Sequence, residues 1–195
     1  TGLPKQTYQS VLETVDYCRF LLERFRSYNK LFPFISPLAP FLDPGSIVFE
    51  APEKYGYRLF CRTVEEHRQA LMAPSWKDIL NYETEWMNRD KIVYSTYEAG
   101  KRLNQLKAEF RLIDPKTAES VETRLQGAVQ MMKEIDRIMA LPSAKEREVE
   151  LESTLYGRQS LQTYSMSTVC EKKELEWPTR FIRMNFIKII KTLLM

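Results

Sequence analysis

Residues 33–57 read Pro-Phe-Ile-Ser-Pro-Leu-Ala-Pro-Phe-Leu-Asp-Pro-Gly-Ser-Ile-Val-Phe-Glu-Ala-Pro-Glu-Lys-Tyr-Gly-Tyr. Five of the chain's ten prolines lie here, and each fixes φ and lacks a backbone N–H, so no helix can run through the stretch. It is nevertheless rich in apolar side chains, which a solvated linker would not be. Phe34-Ile35 and Ile47–Phe49 are therefore predicted to form short buried strands around a turn at Asp43-Pro44-Gly45-Ser46. A long ordered loop of this kind either packs rigidly or lines a ligand site, and both interpretations stay open.

The segment before this stretch predicts an amphipathic helix from about Tyr8 to Tyr28, with Thr7 as its N-cap. Its apolar residues recur at spacings of three and four, so they form one stripe along the helix. Acidic side chains near its start and basic ones near its end complement the helix dipole. The stripe consists of Val11, Val15, Cys18, Leu22 and Phe25.

Two short helices are predicted after the stretch. Thr63 caps the first, at residues 64–72, with acidic residues in its first turn. Ser75 caps the second, at about residues 76–82, in a segment that holds two of the three tryptophans. Aromatic side chains at this density indicate packing in a core or an interface.

A helical hairpin is predicted from Arg89 to Ala140. Its first helix spans roughly Arg89 to Phe110, and Asp114-Pro115 starts the second, because proline is well accommodated at the first position of a helix. In the second helix the apolar residues from Val121 to Met139 alternate steps of four and three, which favours antiparallel packing against the first.

The remaining segments complete the fold prediction. Residues 144–153 alternate in charge, which is typical of a solvated helix, and residues 157–176 form a loop or a frayed helix. A basic amphipathic helix opens at Pro178; it would dock on the rest of the protein or lie on a membrane surface. The predicted fold class is mainly α, with at most two to four short strands, all before about residue 62.

Composition places the chain among ordinary globular proteins. Its 195 residues suit one domain or one and a half, with 44% hydrophobic and 28% charged residues. A net charge of +3, with lysines and arginines dispersed among acidic residues, argues against a nucleic-acid partner. No apolar run is long enough for a transmembrane helix and no signal peptide is recognised, so a cytoplasmic protein is expected. The absence of an initiator methionine before Thr1 suggests a fragment or a trimmed product.

The side chains that could carry chemistry are few. The three cysteines are spaced too widely for a zinc site, an iron–sulfur loop or a disulfide framework, so free thiols and no metal site are expected. His67 lies among Glu65, Glu66 and Arg68, but such groupings on a helix are mostly solvated surface. Tyr82 and Glu83 could face a polar substrate together with His67, or could form the polar rim of a packed helix.

One family resemblance adds to this interpretation. Residues 2–7, Gly-Leu-Pro-Lys-Gln-Thr, followed by an amphipathic helix, resemble a turn in the later half of the radical S-adenosylmethionine partial barrel. Residues 35–46 are similar to the next barrel strand and its loop. A further likeness is to the C-terminal part of cobalamin-binding-type radical enzymes. It covers Phe49 to Tyr57, the residues from there to Glu98, and the closing Glu-Trp-Pro-Thr at 176–179. Residues near the cofactor are, by this resemblance, Gly2, Pro4, Gln6, Thr7, Ser36, Pro37 and Gly45.

By this resemblance, residues 1–62 would form the end of a partial α/β barrel, and residues 63–195 would form a helical C-terminal extension. The chain departs from the family in lacking the Cys-x-x-x-Cys-x-x-Cys loop and a cobalamin-binding domain, and Lys5 stands where the family has glycine. S-adenosylmethionine, a [4Fe–4S] cluster and cobalamin are therefore implied for a parent enzyme, whereas this chain alone would be inactive and hold none of them. It would supply part of the substrate-facing wall and a helical cap.

The alternative function is a stand-alone helical module for protein–protein interaction, indicated by the stripe from Val121 to Met139 and the basic terminal helix. The expected partner is the remainder of the parent enzyme or a second copy, associating through residues 1–60. The reason is that the stripe from Val11 to Leu22 would have lost the sheet that it once covered, and open strand edges recruit other chains. The chain could instead fold its own C-terminal helices onto the stripe, but association is the favoured outcome.

Overall fold

The computed structural model describes residues 1–26, 31–35 and 41–156. This part of the chain is mainly helical, with one two-stranded antiparallel sheet, as the fold-class prediction requires. The helices are α1 (Tyr8–Arg24), α2 (Ile47–Glu50), α3 (Val64–Ala70), α4 (Trp76–Ile79), α5 (Arg89–Glu109), α6 (Pro115–Met139) and α7 (Ala144–Tyr156); the strands are β1 (Tyr57–Leu59) and β2 (Tyr82–Thr84).

Side-chain caps fix where the helices begin. Thr7 accepts a hydrogen bond from the Ser10 N–H ahead of α1, and Thr63 forms a reciprocal capping box with Glu66 ahead of α3. The side chains of Ser75 and Asp114 each accept one backbone N–H ahead of α4 and α6. The caps at Thr7, Thr63 and Ser75 were predicted, because capping depends on residues only two or three positions apart.

The predicted hairpin is confirmed as α5 packed against α6. Met132, Ile135 and Ile138 of α6 are buried in it. The buried Asn104 of α5 donates from Nδ2 to the carbonyl of Ala118 at 2.8 Å, which ties the two helices together near their connection. The stripe is thus at least half-buried inside the chain from Val121 to Ile135, whereas its last member, Met139, is exposed.

The stripe of α1 is also covered inside the chain, because α1 packs against α5. Val11, Val15 and Leu22 are buried there, and Cys18 is half-buried. Burial of each large apolar side chain contributes about 1.5–3 kcal/mol, so this contact removes the reason for association through the stripe. The prediction that the α1 stripe lacks a cover is therefore wrong, whereas association through residues 1–60 stays a prediction without that reason behind it.

The two predicted strands are not present. Ile47–Phe49 belongs to the one-turn helix α2, which Ser46 caps by accepting from the Phe49 N–H at 3.2 Å. Seven residues separate Pro44 from Pro52, enough for a single capped turn of helix. Residues 31–35 form no strand, and Phe34 is 81% exposed.

The strands that do form pair across a long sequence separation. β1 and β2 are antiparallel, with Tyr57 opposite Thr84, Arg58 opposite Glu83 and Leu59 opposite Tyr82. β2 lies after residue 62, so the prediction that all strands precede that position is wrong, as is the prediction of helix at Tyr82.

The expected boundary at residue 62 does not separate two compact units. The α1–α5 contact and the β1–β2 pairing both cross it, and Thr1–Leu151 forms one compact unit. The predicted loop at 157–176 and the predicted helix from Pro178 lie outside the described residues.

A buried lysine joins three helices of this unit. Lys77 of α4 lies 2.9 Å from Asp90 of α5 and 2.6 Å from Asp136 of α6, measured from its Nζ to a carboxylate oxygen. Burial alone would lower the pKa of Lys77, but hydrogen bonds to Asp136 and Asp90 outweigh it and the pKa is raised. The lysine therefore stays charged where α4 meets the hairpin.

We predict that Lys77→Met lowers the free energy of unfolding by about 1–3 kcal/mol, because two carboxylates lose their partner but stay partly hydrated. The matched control is Lys101→Met, whose side chain is 40% exposed and pairs with Glu122 at 3.4 Å; it should cost less than about 1 kcal/mol. Urea unfolding followed by circular dichroism measures both. Equal losses for the two variants would contradict the assigned role of Lys77.

Candidate functional site

The turn that carries the family resemblance has two residues with positive φ. Gly2 has φ +82° and Lys5 has φ +61°. Gln6 closes the turn twice: its N–H donates to the Leu3 carbonyl at 3.1 Å and its Oε1 accepts from the Leu3 N–H at 3.2 Å. The left-handed conformation therefore forms at position 5 with lysine, where it costs about 1–2 kcal/mol more than with glycine.

Two buried tyrosines, Tyr57 of β1 and Tyr82 of β2, hold this turn, and we refer to them as the tyrosine clamp. The Tyr57 hydroxyl donates to the Gly2 carbonyl at 3.1 Å, and the Tyr82 hydroxyl donates to the Thr1 carbonyl at 3.5 Å. The two rings meet edge to face with centroids 5.2 Å apart. Burial raises the pKa of both phenols, so both remain donors across the physiological range.

The close approach of the clamp explains the glycine at position 2. A Cβ at Gly2 would lie 2.2 Å from the Tyr82 hydroxyl oxygen, well inside van der Waals contact. The backbone of the turn consequently packs directly on the aromatic rings of the sheet.

A cleft of about 440 Å³ runs along the β1–β2 sheet, and we call it the β cleft. Tyr57 belongs both to its lining and to the tyrosine clamp. Tyr57 therefore borders the β cleft from the buried face of the sheet, whereas Arg58 and Glu83 lie on the other face, because side chains alternate along a strand. The other lining residues of the β cleft are Glu53, Arg58, Leu59, Arg62, Glu83, Thr84 and Glu85.

Ion pairs organise the charges of the β cleft. Glu83 forms an ion pair with Arg58 directly across the two strands, and its side chain is only 18% exposed. Arg62 pairs more loosely with Glu53, at 3.7 Å. Each guanidinium thus has a carboxylate partner, and a polar substrate could exchange with either half of these pairs. Carboxylates and guanidinium groups bind and orient polar groups by charge-assisted hydrogen bonds.

The only histidine, His67, is engaged on both ring nitrogens. Its Nδ1 lies 2.8 Å from the carbonyl oxygen of Thr63, which can only accept, so we assign the proton to Nδ1. Its Nε2 then accepts from Nδ2 of Asn81 at 3.3 Å. Asn81 also brackets the backbone of Leu42, donating to its carbonyl at 2.7 Å and accepting from its N–H at 3.1 Å. His67 therefore supports the packing of the residue 42 segment.

The structure separates the three residues predicted to face a substrate. Glu83 lines the β cleft. Tyr82 is 1% exposed and points its hydroxyl at the turn, so the prediction that it faces a substrate is corrected. His67 is not part of the lining of the β cleft. Alternation along a strand puts neighbouring side chains on opposite faces, which is why Tyr82 and Glu83 diverge.

The residues expected near a cofactor lie in two turns. In the first, Gln6 closes the turn and Thr7 caps α1, while Pro4 is exposed. Gly45 lies in the turn before α2 with φ +83°, and its N–H donates to Glu50 at 3.0 Å. Ser36 and Pro37 lie outside the described residues.

Sequence analysis missed Tyr57, Arg58 and Arg62 as site residues. Their role depends on the pairing of β1 with β2, and those segments are separated by two helices in the sequence. The signal that could have identified them is the opposite charge of Arg58 and Glu83, which stabilises cross-strand neighbours once the register is known.

Comparisons of the chain with protein-family models, with curated proteins and with solved structures found no match. Within residues 1–26, 31–35 and 41–156, no group of three or more His, Cys, Asp or Glu side chains is placed to hold a metal ion. In the same part of the chain, no helix combines the length and the hydropathy that a membrane crossing needs.

We predict that Gly2→Ala destabilises the protein more than Gly45→Ala does. Both glycines have the same positive φ, but a Cβ at Gly45 meets nothing within 4 Å. Gly45→Ala should therefore cost only the backbone strain, about 1–2 kcal/mol, whereas Gly2→Ala adds the clash with Tyr82. Urea unfolding of both variants measures the difference.

A double variant, Gly2→Ala with Tyr82→Phe, tests the cause of that difference. Removing the hydroxyl should recover part of the loss, so the two changes should not be additive. Strict additivity would show that the Tyr82 hydroxyl is not what excludes a side chain at position 2.

Proposed function

We propose that the chain is the C-terminal part of a cobalamin-type radical S-adenosylmethionine enzyme, and that it forms part of the substrate-facing wall together with a helical cap. One observation carries the proposal. The turn on which the resemblance rests, residues 2–7, is clamped onto the same sheet that borders the β cleft, and Tyr57 belongs to both.

The geometry of the turn supports the proposal. A tight loop with positive φ, followed at once by a capped helix, leaves backbone groups at the N-terminal end of that helix, a common place for binding a polar ligand. Gly2 and Lys5 provide the positive φ and Thr7 provides the cap. By the resemblance, S-adenosylmethionine and substrate would lie near this turn.

The β cleft supplies the wall. Its volume of about 440 Å³ lies within the range of small-molecule sites, roughly 300–1,000 Å³. The partly buried Glu83 and its partner Arg58 would bind polar groups of the substrate. The α5–α6 hairpin behind the sheet would form the cap.

The cysteines of the described residues do not fit an iron–sulfur cluster. Cys18 lies in α1 and Cys61 follows β1, and burial raises the pKa of both thiols, whereas a ligating cysteine must be a thiolate. The cluster and cobalamin would be held by the rest of the parent enzyme, so this chain alone would be inactive. Free thiols also support a cytoplasmic location.

The decisive experiment begins with the DNA upstream of the codon for Thr1. We expect a Cys-x-x-x-Cys-x-x-Cys loop in the same reading frame or in an adjacent gene. A coding region with no such loop in either place would overturn the proposal.

We then predict that Tyr57→Phe in the reconstituted parent enzyme lowers reductive cleavage of S-adenosylmethionine about two- to tenfold, because the Gly2 carbonyl loses one hydrogen bond of about 1 kcal/mol. Dithionite is the reductant, and release of 5′-deoxyadenosine and methionine is measured by chromatography. The control is Tyr17→Phe on the outer face of α1, where the ring is 59% exposed. Identical rates for both variants would contradict a role for the turn.

The alternative, a helical interaction module, is favoured by one observation. None of the residues of α3 is buried, and Val64 in its first turn is 89% exposed. Leu71 and Met72, which follow the helix, are also exposed. Exposed apolar side chains at both ends of a short surface helix are one feature of a contact with another protein.

For this alternative we predict that the chain sediments as an oligomer and that Val64→Lys combined with Leu71→Lys dissociates it. The charges would be buried unpaired in the contact and therefore weaken it. Analytical ultracentrifugation measures both forms. A wild-type chain that sediments as a monomer at all concentrations would count against the module.

A further inference from the structure

A second cleft, of about 320 Å³, lies between the first turn of α1 and the α5–α6 hairpin. It is separate in lining from the β cleft and shares no residue with it. We call it the ring cleft. The residues that matter here are Tyr8 of α1, Tyr94 and Tyr97 of α5, and Leu125, Val129 and Gln130 of α6.

Helical spacing builds the walls of the ring cleft. Tyr94 and Tyr97 are three residues apart on α5, and Leu125 and Val129 are four apart on α6, so each pair lies on one face of its helix. Three phenol rings and two aliphatic side chains consequently surround one concave space. Sites for small molecules between packed helices are typically apolar and aromatic in this way.

The tyrosine at the base is held in place. Tyr97 is buried, and its hydroxyl accepts a hydrogen bond from Nε1 of Trp76 at 2.9 Å. The Trp76 and Tyr97 rings are in contact, with centroids 5.8 Å apart. The phenol ring of Tyr97 is therefore held in a fixed position. Because Trp76 contacts this ring, its fluorescence should respond to a ligand bound against Tyr97.

The charges around the ring cleft are balanced within the protein. Glu98 pairs with Arg102 at 2.8 Å, and Lys101 pairs with Glu122 at 3.4 Å. Gln130 is exposed at the rim, where its amide can donate and accept hydrogen bonds. An occupant would gain nothing from a net charge but would gain from a neutral polar substituent directed at the rim.

We propose that the ring cleft binds an uncharged planar ring, aromatic or heteroaromatic, that carries an amide or hydroxyl substituent. Aromatic walls select a flat ring, because offset and edge-to-face contacts between rings add about 0.5–1.5 kcal/mol beyond burial. Paired charges disfavour an ion, since a charge taken into an apolar space without a partner is costly. The available volume suits a compound of one or two rings.

Trp76 offers a fluorescence test on the whole chain. Trp86→Phe and Trp177→Phe leave Trp76 as the only tryptophan. Benzamide is the probe, since it combines a planar ring with a neutral amide. Cyclohexanecarboxamide has the same amide without planarity, and benzoate has the same ring with a charge. We expect benzamide to change the Trp76 emission saturably and to bind about three- to tenfold more tightly than either comparison compound.

Two variants and one control locate the binding. Tyr8→Leu removes an aromatic wall, and Val129→Phe fills the space. Each should weaken benzamide binding about tenfold or abolish it. Tyr8→Leu removes a favourable contact between rings and the apolar area buried with it, and Val129→Phe leaves too little room for the probe. Tyr17→Leu makes the same substitution as Tyr8→Leu on the same helix, at an exposed ring outside the cleft, and should leave binding unchanged. Circular dichroism checks that each variant is folded. If Val129→Phe does not fold, Tyr8→Leu alone tests the proposal.

Three results would overturn the proposal. The first is an emission change that rises linearly with benzamide and never saturates, which indicates collisional quenching. The second is equal binding by Tyr8→Leu and Tyr17→Leu, which places the probe elsewhere. The third is equal affinity for cyclohexanecarboxamide or benzoate, which removes the selectivity for a neutral planar ring. None of these results bears on the proposal for the β cleft, whose residues are different.

Discussion

The fold depends on the burial of α5 along most of its length. α1 packs on one part of its surface, α6 on another, and β2 and α4 also contact it. Three of its buried residues are polar: Ser95 and Thr96 donate to the carbonyl of Ile92, and Asn104 donates from Nδ2 to the carbonyl of Ala118, while its Oδ1 has no partner. Most buried polar groups are hydrogen-bonded, so the donors of α5 follow the general rule. Because α5 contacts α1, α4, α6 and β2, it positions the sheet and lines the ring cleft.

Sequence analysis succeeded where the determining interactions are local. The hairpin follows from a periodic stripe, and the helix starts follow from caps two or three residues away. It failed at Ile47–Phe49, because a short apolar run has no periodicity that distinguishes one turn of helix from a strand. The cap at Ser46 and the hydrogen bond from Gly45 to Glu50 decide the matter in favour of helix. The β1–β2 pairing could not be foreseen, since each strand has only three residues and its partner lies beyond two helices.

The same distinction explains the candidate site. Glu83 lines the β cleft, and the signal in the sequence that singled it out is a carboxylate among aromatic residues. Its neighbour Tyr82 was misjudged because the segment was interpreted as helix, in which adjacent residues lie about 100° apart, whereas in a strand they face opposite sides. His67 was singled out in the sequence only because it is the one histidine of the chain. Its contacts with Thr63 and Asn81 combine a helix cap with a residue 14 positions away, a combination that only the tertiary structure reveals.

The turn at residues 2–7 is stabilised both by hydrogen bonds within the turn and by contacts with residues far away in the sequence. A lysine with positive φ costs about 1–2 kcal/mol, and by itself the sequence would not hold that conformation. The Tyr57 hydroxyl adds a hydrogen bond to the Gly2 carbonyl, at about 1 kcal/mol, and the longer contact of the Tyr82 hydroxyl with the Thr1 carbonyl adds less. Gln6 adds two more hydrogen bonds within the turn. An unfavourable backbone persists only where its surroundings over-determine it, and here the surroundings come from residues more than fifty positions away. The conformation of the turn therefore depends on the pairing of β1 with β2. A ligand that forms hydrogen bonds with the backbone of the turn would depend on that pairing too.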